Sequence, residues 1–519
     1  MVHTRHSQRG VTLLLFLFLA AGIGTTIFLL AWNNNRARQA QEQQTDQALQ
    51  QAKDALISYA LVYGETQLTN ADPIGGTTKD DITLPPGTLP CPETTLNITS
   101  EGAQSGNCDS RDVSSIGRLP WRSLGTAPLR DANGECLWYA VSGSFKANPS
   151  PYLLNWDSPG AFEIRDGQGN LIASDVVAVI FSAGSPLAGQ NRSQIAGAVQ
   201  CGGNYTASAY LDAFNLGGTV YNNAVINLTP NGKTVFIAGP VRNASGDIVA
   251  NDRLLYITRD ELFTRAVEKR TDFLTHLYDP TDIKGDDVSK YGLAQKLAAC
   301  LANYGKNNFD PKDKRLPWAS RLDVADFAND TFDDIAGQYA GRPPYRVGTS
   351  RTSTQSLLVP SGCSTATDNC RLLIIERCLA GWWRLAGKPL DNSGGSQQNS
   401  PEGWWDKWKD HFFYVVSPEF APNSSNNWTT NPDPCTPASQ CVTVGLSRYA
   451  AVIVFAGKAQ AGQQRITLGD RQNTANYLDG TNVLAFSSPT SPQPRTLALT
   501  GNDQLVCIKP DLTLDTQCK

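Results

Sequence analysis

The sequence has few of the residues from which catalytic and metal sites are built. Histidine occurs four times in 519 residues, and only His276 and His411 follow the N-terminal apolar stretch. There is no Cys-x-x-Cys pair, so the ligand spacing typical of zinc sites is missing. The motifs GxSxG, HExxH, the Walker phosphate loop and the dinucleotide fingerprint are also missing. We therefore expect a protein that is not an enzyme and has no metal, in which His411 is a buried structural residue rather than a catalytic base.

Basic runs are scarce as well. The net charge is −4, and only Arg36 and Arg38 come close to forming a basic run. A nucleic-acid-binding surface would need clustered lysine and arginine. We expect no nucleic-acid partner.

Cysteine is missing from the first 90 residues, whereas twelve cysteines follow. An even number in such a chain indicates disulfide bonds formed in an oxidising compartment. Short loops close at the smallest entropic cost, which favours pairs that are near in sequence. The pairs predicted on this basis are Cys91–Cys108, Cys363–Cys370, Cys435–Cys441 and Cys507–Cys518; Cys136–Cys201 and Cys300–Cys378 remain, and the sequence leaves the connectivity of these last four open.

Charge is missing from Val11 to Trp32, a stretch of 22 residues. A helix that crosses a bilayer needs about 20 apolar residues, which predicts a transmembrane part at 11–32. Proline is missing before Pro73, and apolar residues recur at helical spacing from Leu49 to Tyr63. The helix is therefore predicted to continue as an amphipathic rod.

The stretch RGVTL at 9–13, followed by this helix, resembles the N-terminal segment of type IV pilins and type II secretion pseudopilins. The resemblance implies a leader, 1–10, that a prepilin peptidase removes between Gly10 and Val11, and methylation of the new N-terminus. It also implies assembly with other pilins or pseudopilins. Leu15 departs from the family, which usually has glutamate at this position. An uncleaved single-pass anchor is the alternative.

The anchor and the cysteines together predict where the protein lies. We expect a bacterial single-pass inner-membrane protein in contact with membrane lipid, with a cytosolic N-terminus and the rest of the chain in the periplasm. Assembly in a filament would bring it to the cell surface.

Segments of the second half repeat segments of the first half in the same order, which indicates two homologous modules. The repeated pairs are DALISYALVYG (54–64) with QKLAACLANYG (295–305), GRLPWRS (117–123) with KRLPWAS (314–320), LWYAVSGSF (137–145) with FFYVVSPEF (412–420), VVAVIFSAGSPLAGQNR (176–192) with YAAVIVFAGKAQAGQQR (449–465), AYLDAFN (209–215) with NYLDGTN (476–482), and NDRLLYIT (251–258) with NDQLVCIK (502–509).

The predicted fold class is α+β: a long N-terminal transmembrane and amphipathic helix, then two tandem pilin-like modules, each a helix packed on an antiparallel sheet. Alternating residues around glycine-containing turns predict the hairpins of the sheets. The predicted divisions are a first module at 33–257, a helical connector at 258–285, and a second module at 286–519 with an insertion at about 330–408.

The insertion is rich in tryptophan, for which two interpretations stay open. Exposed rings would form a surface for a partner protein. Alternatively, the rings pack the insertion onto its own module, which the usual burial of large rings favours. The residues concerned are Trp382, Trp383, Trp404, Trp405 and Trp408.

An acidic loop offers the oxygen ligands that calcium prefers, but its spacing is not that of an EF-hand. A solvated run of charge is therefore the favoured interpretation, and no cofactor is expected. The loop contains Asp279, Asp282, Asp286 and Asp287.

The predicted function is that of a large, non-enzymatic minor pilin or pseudopilin, assembled into a type IV pilus-like or type II secretion filament. In the family, the glutamate that Leu15 replaces attracts the terminal amine of the preceding subunit. A subunit that lacks it and carries two bulky modules suits the filament tip. The alternative is a membrane-anchored periplasmic protein that binds or hydrolyses a ligand.

Overall fold

The computed structural model begins with helix α1 (Arg9–Gln67), whose second half packs against the first module. Leu49, Ala52, Leu56 and Ala60 are buried along one side of it. The structure describes residues 9–67, 86–96, 100–151, 153–197, 199–216, 218–268, 292–306, 314–327, 332–347, 372–373, 404–435 and 440–518.

Within these ranges, no helix is long and apolar enough to cross a membrane. A crossing requires about 20 apolar residues in one helix. The predicted transmembrane part at 11–32 is therefore wrong. The predicted fold class, which starts with that segment, and the predicted single-pass inner-membrane location are contradicted with it.

The elements that follow α1 along the first module are short strands and helical turns. The strands are β1 (Ser115–Arg118), β2 (Trp138–Val141), β3 (Phe162–Arg165), β4 (Leu171–Ser182), β5 (Ala213–Leu216), β6 (Thr219–Asn222), β7 (Thr234–Ile237), β8 (Val241–Arg242), β9 (Ile248–Ala250) and β10 (Arg253–Thr258); the helices are α2 (Arg259–Leu262), a π-helical turn (Phe263–Val267), and 3-10 turns at Gly143–Phe145 and Ala207–Ala209.

The main sheet of the first module is centred on β4, the longest strand. Antiparallel pairing joins β1 to β2, β2 to β4 and β10 to β4, while β3 pairs with the start of β4 and, in parallel, with β7. Residues 176–182 of β4 are buried on both faces, as expected of a central strand. Helix α1 packs on β4 and β10.

The second module begins with helix α3 (Leu293–Lys306), which packs on its sheet. Its remaining elements are β11 (Ala340–Gly341), β12 (Arg346–Val347), β13 (Leu372–Leu373), α4 (Trp404–Trp408), β14 (Phe412–Val416), β15 (Val442–Val444), β16 (Ser447–Tyr449), β17 (Ala451–Phe455), α5 (Leu468–Gln472), β18 (Thr496–Leu497), β19 (Gln504–Ile508), β20 (Leu514–Asp515), and 3-10 turns at Lys409–His411, Pro418–Phe420, Thr474–Asn476 and Gly480–Phe486.

The two main sheets have the same strand order. The antiparallel series β11-β14-β17-β19 of the second module repeats the series β1-β2-β4-β10 of the first. In each module the helix packs on the third and fourth strands of this series: α1 on β4 and β10, α3 on β17 and β19.

The sequence pairing of the two Leu-Pro-Trp stretches is wrong. The N–H of Leu316 donates to the carbonyl oxygen of Phe420 at 2.7 Å, and its counterpart is Leu89, whose N–H donates to Phe145 at 2.7 Å. The stretch 316–320 therefore matches 89–93, not 119–123. The true counterpart of GRLPW (117–121) is GRPPY (341–345), because both precede the same strand and make the same isolated bridge.

This correction moves the start of the extra residues in the second module. Tyr345 and Tyr414 are 69 positions apart, whereas their counterparts Trp121 and Tyr139 are 18 apart, an excess of 51. The extra residues therefore lie between Tyr345 and α4, rather than from about 330.

Four disulfide bonds lie in the described part of the chain. Three of them close short loops as predicted, and the fourth, Cys136–Cys201, was among the open pairings. The bonds are Cys91–Cys108, Cys136–Cys201, Cys435–Cys441 and Cys507–Cys518. Cys363, Cys370 and Cys378 lie outside the described residues, so Cys363–Cys370 and Cys300–Cys378 stay predictions.

A single hydrophobic core runs through both modules. It includes the buried side of α1, helix α3, and the helix-facing residues of both sheets. The outer faces of the sheets have smaller clusters of their own. The modules are therefore packed against each other.

Candidate functional site

The residues predicted to direct processing and assembly lie at the start of α1. Gly10 and Val11 are helical, and Leu15 is 62% exposed. The four residues after Leu15 are also exposed and apolar, with Phe16 at 76%. Such an exposed run is typical of a surface that another protein covers.

The predicted tryptophan surface is not formed by the two rings whose surroundings are described. Trp405 and Trp408 are 2% and 1% exposed, so the partner-surface interpretation is wrong for them and the burial that the sequence favoured is confirmed. Trp405 lies stacked with Tyr345 at 6.2 Å. Trp408 meets Trp156 of the first module edge to face at 4.8 Å. Trp404 opens α4, and Trp382 and Trp383 lie outside the described residues, as does the predicted acidic loop 279–287.

Next to Trp408, a cluster of charged side chains is buried between the two modules. His411 is fully buried, and each of its ring nitrogens faces a carboxylate. Nδ1 lies 3.0 Å from Oδ1 of Asp410, its neighbour in sequence, and Nε2 lies 3.0 Å from Oδ2 of Asp157 in the first module. Arg465 adds a second cation, with Nη1 3.3 Å from the same Asp157 oxygen. We call Asp157, Asp410, His411 and Arg465 the interface cluster.

Hydrogen bonds from both modules hold the carboxylate of Asp410. Asn155 of the first module donates Nδ2 to Oδ1 of Asp410 at 2.9 Å and to the carbonyl oxygen of Lys407 at 2.8 Å. On the other oxygen, the Tyr477 hydroxyl donates at 3.2 Å, and Arg471 lies 3.6 Å away. The cluster is thus a continuous polar network inside an apolar interface.

The charges of the cluster shift one another's pKa. Burial disfavours the charged form of His411, but the carboxylates of Asp410 and Asp157 outweigh burial and raise its pKa above 6.5. Burial likewise disfavours the ionised carboxylates, yet His411 holds the pKa of both Asp157 and Asp410 below the usual value. The arrangement therefore stabilises an imidazolium between two carboxylates.

The geometry favours an ion pair over a metal ion or a catalytic base. Ligand atoms of Asp157, Asp410 and His411 lie within 4.8 Å of one another, but the guanidinium of Arg465 takes up the space between His411 and Asp157. Nη1 of Arg465 lies 3.3 Å from Nε2 of His411, where an ion shared with Asp157 would sit. A base would need a free nitrogen within reach of a substrate. The arrangement instead forms an ionic joint between the modules.

Each module also contains a buried pair of carboxylates at equivalent positions. In the first module, Oδ2 of Asp252 accepts from the N–H of Asp212 at 2.7 Å and from Asn223 at 3.0 Å. In the second, Oδ2 of Asp503 accepts from the N–H of Asp479 at 2.8 Å and from Asn482 at 2.8 Å.

The pKa of the inner aspartate is raised in both pairs. Burial is the main cause, and the neighbouring aspartate adds to it. For Asp503 the pKa rises to about 6. The other oxygen of each inner aspartate, Oδ1, has no hydrogen-bond partner and is buried, which suits a protonated carboxyl group.

The interface cluster was not found from the sequence, although His411 was expected to be buried. The repeat contained a signal: Asp410 and His411 stand where the first module has Glu135 and Cys136, so this pair differs between otherwise similar strands. Comparison with models of protein families, with curated proteins and with solved structures found no match.

Proposed function

We propose that this protein is a non-enzymatic, pilin-like subunit that joins a filament by packing the exposed start of α1 against other subunits. The observation that carries the proposal is the run of exposed apolar side chains from Leu15 to Leu19, between 56% and 76% exposed. Burying such side chains contributes about 1.5–3 kcal/mol each. The pilin-like stretch 9–13 lies directly before them.

The other end of α1 is bound firmly to the first module, which supports a role of α1 in connecting the modules to the filament. Besides its buried apolar side, the helix forms two ion pairs with the segment after β10. Lys53 lies 2.7 Å from Glu261, and Asp54 lies 2.8 Å from Arg265. A contact made at the start of α1 would thus be transmitted to the whole body of the protein.

The proposed position is the filament tip. Leu15 has no carboxylate with which to attract the terminal amine of a preceding subunit, and a subunit at the tip has no predecessor. The two modules share one core, so they would be carried as one bulky body. Few copies per filament are expected, after removal of the leader between Gly10 and Val11 by a prepilin peptidase.

The experiment compares incorporation of variants into filaments sheared from cells that make the protein. Phe16→Glu and Leu19→Glu should reduce its recovery with filaments by about tenfold or more, since each places a charge in the proposed contact. Leu171→Glu is the matched control, because Leu171 is 55% exposed at the start of β4 and lies outside the apolar run 15–19. Equal recovery of all variants would contradict the proposal.

Two further measurements address processing and position. Mass spectrometry of the mature chain should find Val11 at the N-terminus; a chain that keeps residues 1–10 would contradict cleavage. Gold-labelled antibody should mark filament ends, and Leu15→Glu should not improve incorporation. Label spread evenly along the shaft would contradict the tip position.

A further inference from the structure

We propose that the proton on His411 latches the two modules together, and that its loss releases the loop 153–158 of the first module from the second. The imidazole lies between the modules: Asp157 binds one nitrogen and Asp410 the other. A neutral imidazole has a single N–H and therefore can donate to only one of them. The other carboxylate would then face a lone pair at 3.0 Å.

The charges around His411 decide which module loses its partner. The anions are Asp157 and Asp410, and the cations are Arg465, beside Asp157, and Arg471, 3.6 Å from Asp410. Tyr477 donates its hydroxyl to Asp410, and Arg342 donates to the Asp410 backbone. The remaining ring neighbours, Trp156, Trp408 and Phe455, are uncharged.

Without the proton, the two carboxylates are left in unequal positions. Asp410 keeps Arg471, Tyr477 and Asn155, whereas Asp157 keeps only Arg465 among the cluster's charged side chains. Asp157 belongs to the first module, and its neighbours Asn155 and Trp156 make further contacts of that loop with the second module. We therefore expect the loop 153–158 to detach rather than the strand β14.

Opening would also loosen the base of the extra segment of the second module. Helix α4 directly follows that segment, and its Lys407 is held by the first module through Ser150, at 2.7 Å from Nζ, and through Asn155. Trp405 of the same helix stacks on Tyr345, which directly precedes the segment. The latch thus controls how firmly both ends of the extra segment are held.

The direction of the pH dependence follows from the raised pKa of His411. A group whose pKa is raised by folding contributes stability that is present below its unfolded value of about 6.5 and is lost as pH rises through the folded value. The interface should therefore be closed in mild acid and open as pH increases. The opening constant should rise about tenfold per pH unit above about 6.5, and then level off once His411 has lost its proton.

Hydrogen exchange of the full chain from pH 6 to pH 9, corrected for the intrinsic rate at each pH, tests the latch. In the wild type, exchange in 153–158 and 404–412 should rise with pH as stated. In His411→Gln it should be fast throughout and nearly independent of pH. Glu135→Gln is the matched control, because it removes the ion pair of Arg192, the counterpart of Arg465, whose two partners both belong to the first module; it should keep the wild-type profile.

An NMR titration of the imidazole in the wild type makes the test independent of how well the variant folds. His411 should titrate above pH 6.5, at the pH where exchange of 153–158 levels off. The proposal is overturned if exchange in these segments does not change with pH, if it changes at a pH where His411 does not titrate, or if a folded His411→Gln variant retains the wild-type dependence.

Discussion

Arg192 of the first module and Arg465 of the second occupy the same place in the repeated fold but bind different partners. Each lies over a tyrosine ring, Tyr210 at 4.9 Å and Tyr477 at 4.3 Å. Each donates to the glutamine two positions before it and to a glycine carbonyl, Gly184 in one case and Gly457 in the other.

The difference is in the carboxylate that each arginine reaches. Arg192 pairs with Glu135 of its own module at 3.3 Å, whereas Arg465 pairs with Asp157 of the other module at the same distance. Glu135 is 23% exposed and Asp157 only 6%. The same local network thus forms a partly exposed ion pair within the first module and a buried ion pair between the modules in the second.

The residue after Glu135 and the residue after its counterpart Asp410 show the same divergence. Cys136 stands at the position of His411 and forms a disulfide with Cys201. The first module is therefore closed covalently at the place where the second receives its neighbour. A repeated fold has been adapted at one position for internal closure and for docking, which agrees with the atypical ends that repeat proteins require.

The largest loss of stability is expected for Asp157→Asn, which removes the carboxylate that Arg465 reaches in the other module. The variant leaves the buried charges of His411 and Arg465 facing a neutral amide, and removing one partner of a buried ion pair costs about 3–5 kcal/mol. The free energy of unfolding from urea titration at pH 6 measures it. A loss below about 1 kcal/mol, which is typical of exposed ion pairs, would contradict this expectation.

The second-largest loss of stability is expected from removing the disulfide Cys136–Cys201 of the first module. Replacing Cys136 and Cys201 together with serine frees a loop with a sequence separation of 65, for which the chain-entropy relation predicts a loss of about 4 kcal/mol. The matched control replaces Cys435 and Cys441, which are 6 positions apart, and should lose about 2 kcal/mol. Equal losses would show that loop length does not determine the effect.

These comparisons also show which parts of the molecule the sequence could predict. The buried side of α1 was predictable because Leu49 and Leu56 recur at helical spacing. Three disulfides were predictable because their loops are short. The contact of Asp157 with Arg465 was not, since the residues are 308 positions apart and no local pattern relates a loop of one module to a loop of the other.

The wrong pairing of the Leu-Pro-Trp stretches has its origin in local similarity. The first module has Leu-Pro at both 89–90 and 119–120, so the tripeptide at 316–318 was matched to the wrong one. The hydrogen bond from Leu316 to Phe420 and the isolated bridge between Ser320 and Arg342 resolve the match. The burial of Trp405 and Trp408 was favoured from the size of their rings, but the residues that cover them, Tyr345 and Trp156, could not be predicted because they lie far away in the sequence.

A smaller effect, which depends on pH, is expected from the carboxylate pair of the second module. The pKa of Asp503 is raised to about 6, so the folded protein keeps this proton at pH values where the unfolded chain has lost it. The free energy of unfolding therefore falls as pH rises from about 4 to 6. The fall is on the order of 3 kcal/mol. In Asp503→Asn, which mimics the protonated group, this part of the pH dependence should be missing from urea titrations between pH 4 and 7. Asp166→Asn is the control on an exposed turn, and an unchanged profile in Asp503→Asn would contradict the assignment.

The smallest effect should be that of Glu135→Gln, the counterpart of Asp157→Asn in the first module. Arg192 retains its bonds to Gly184, Ala209 and Gln190 in this variant, so no donor is left buried without a partner. Because Glu135 reaches water, the ion pair contributes less than about 1 kcal/mol. Raising the salt concentration should weaken the wild-type pair and shrink the difference further, whereas the difference between wild type and Asp157→Asn should change little, since buried charges are poorly screened. Urea titrations of wild type and both variants at low and high salt measure these differences in the free energy of unfolding. A similar salt dependence for both variants would contradict the distinction between an exposed and a buried ion pair.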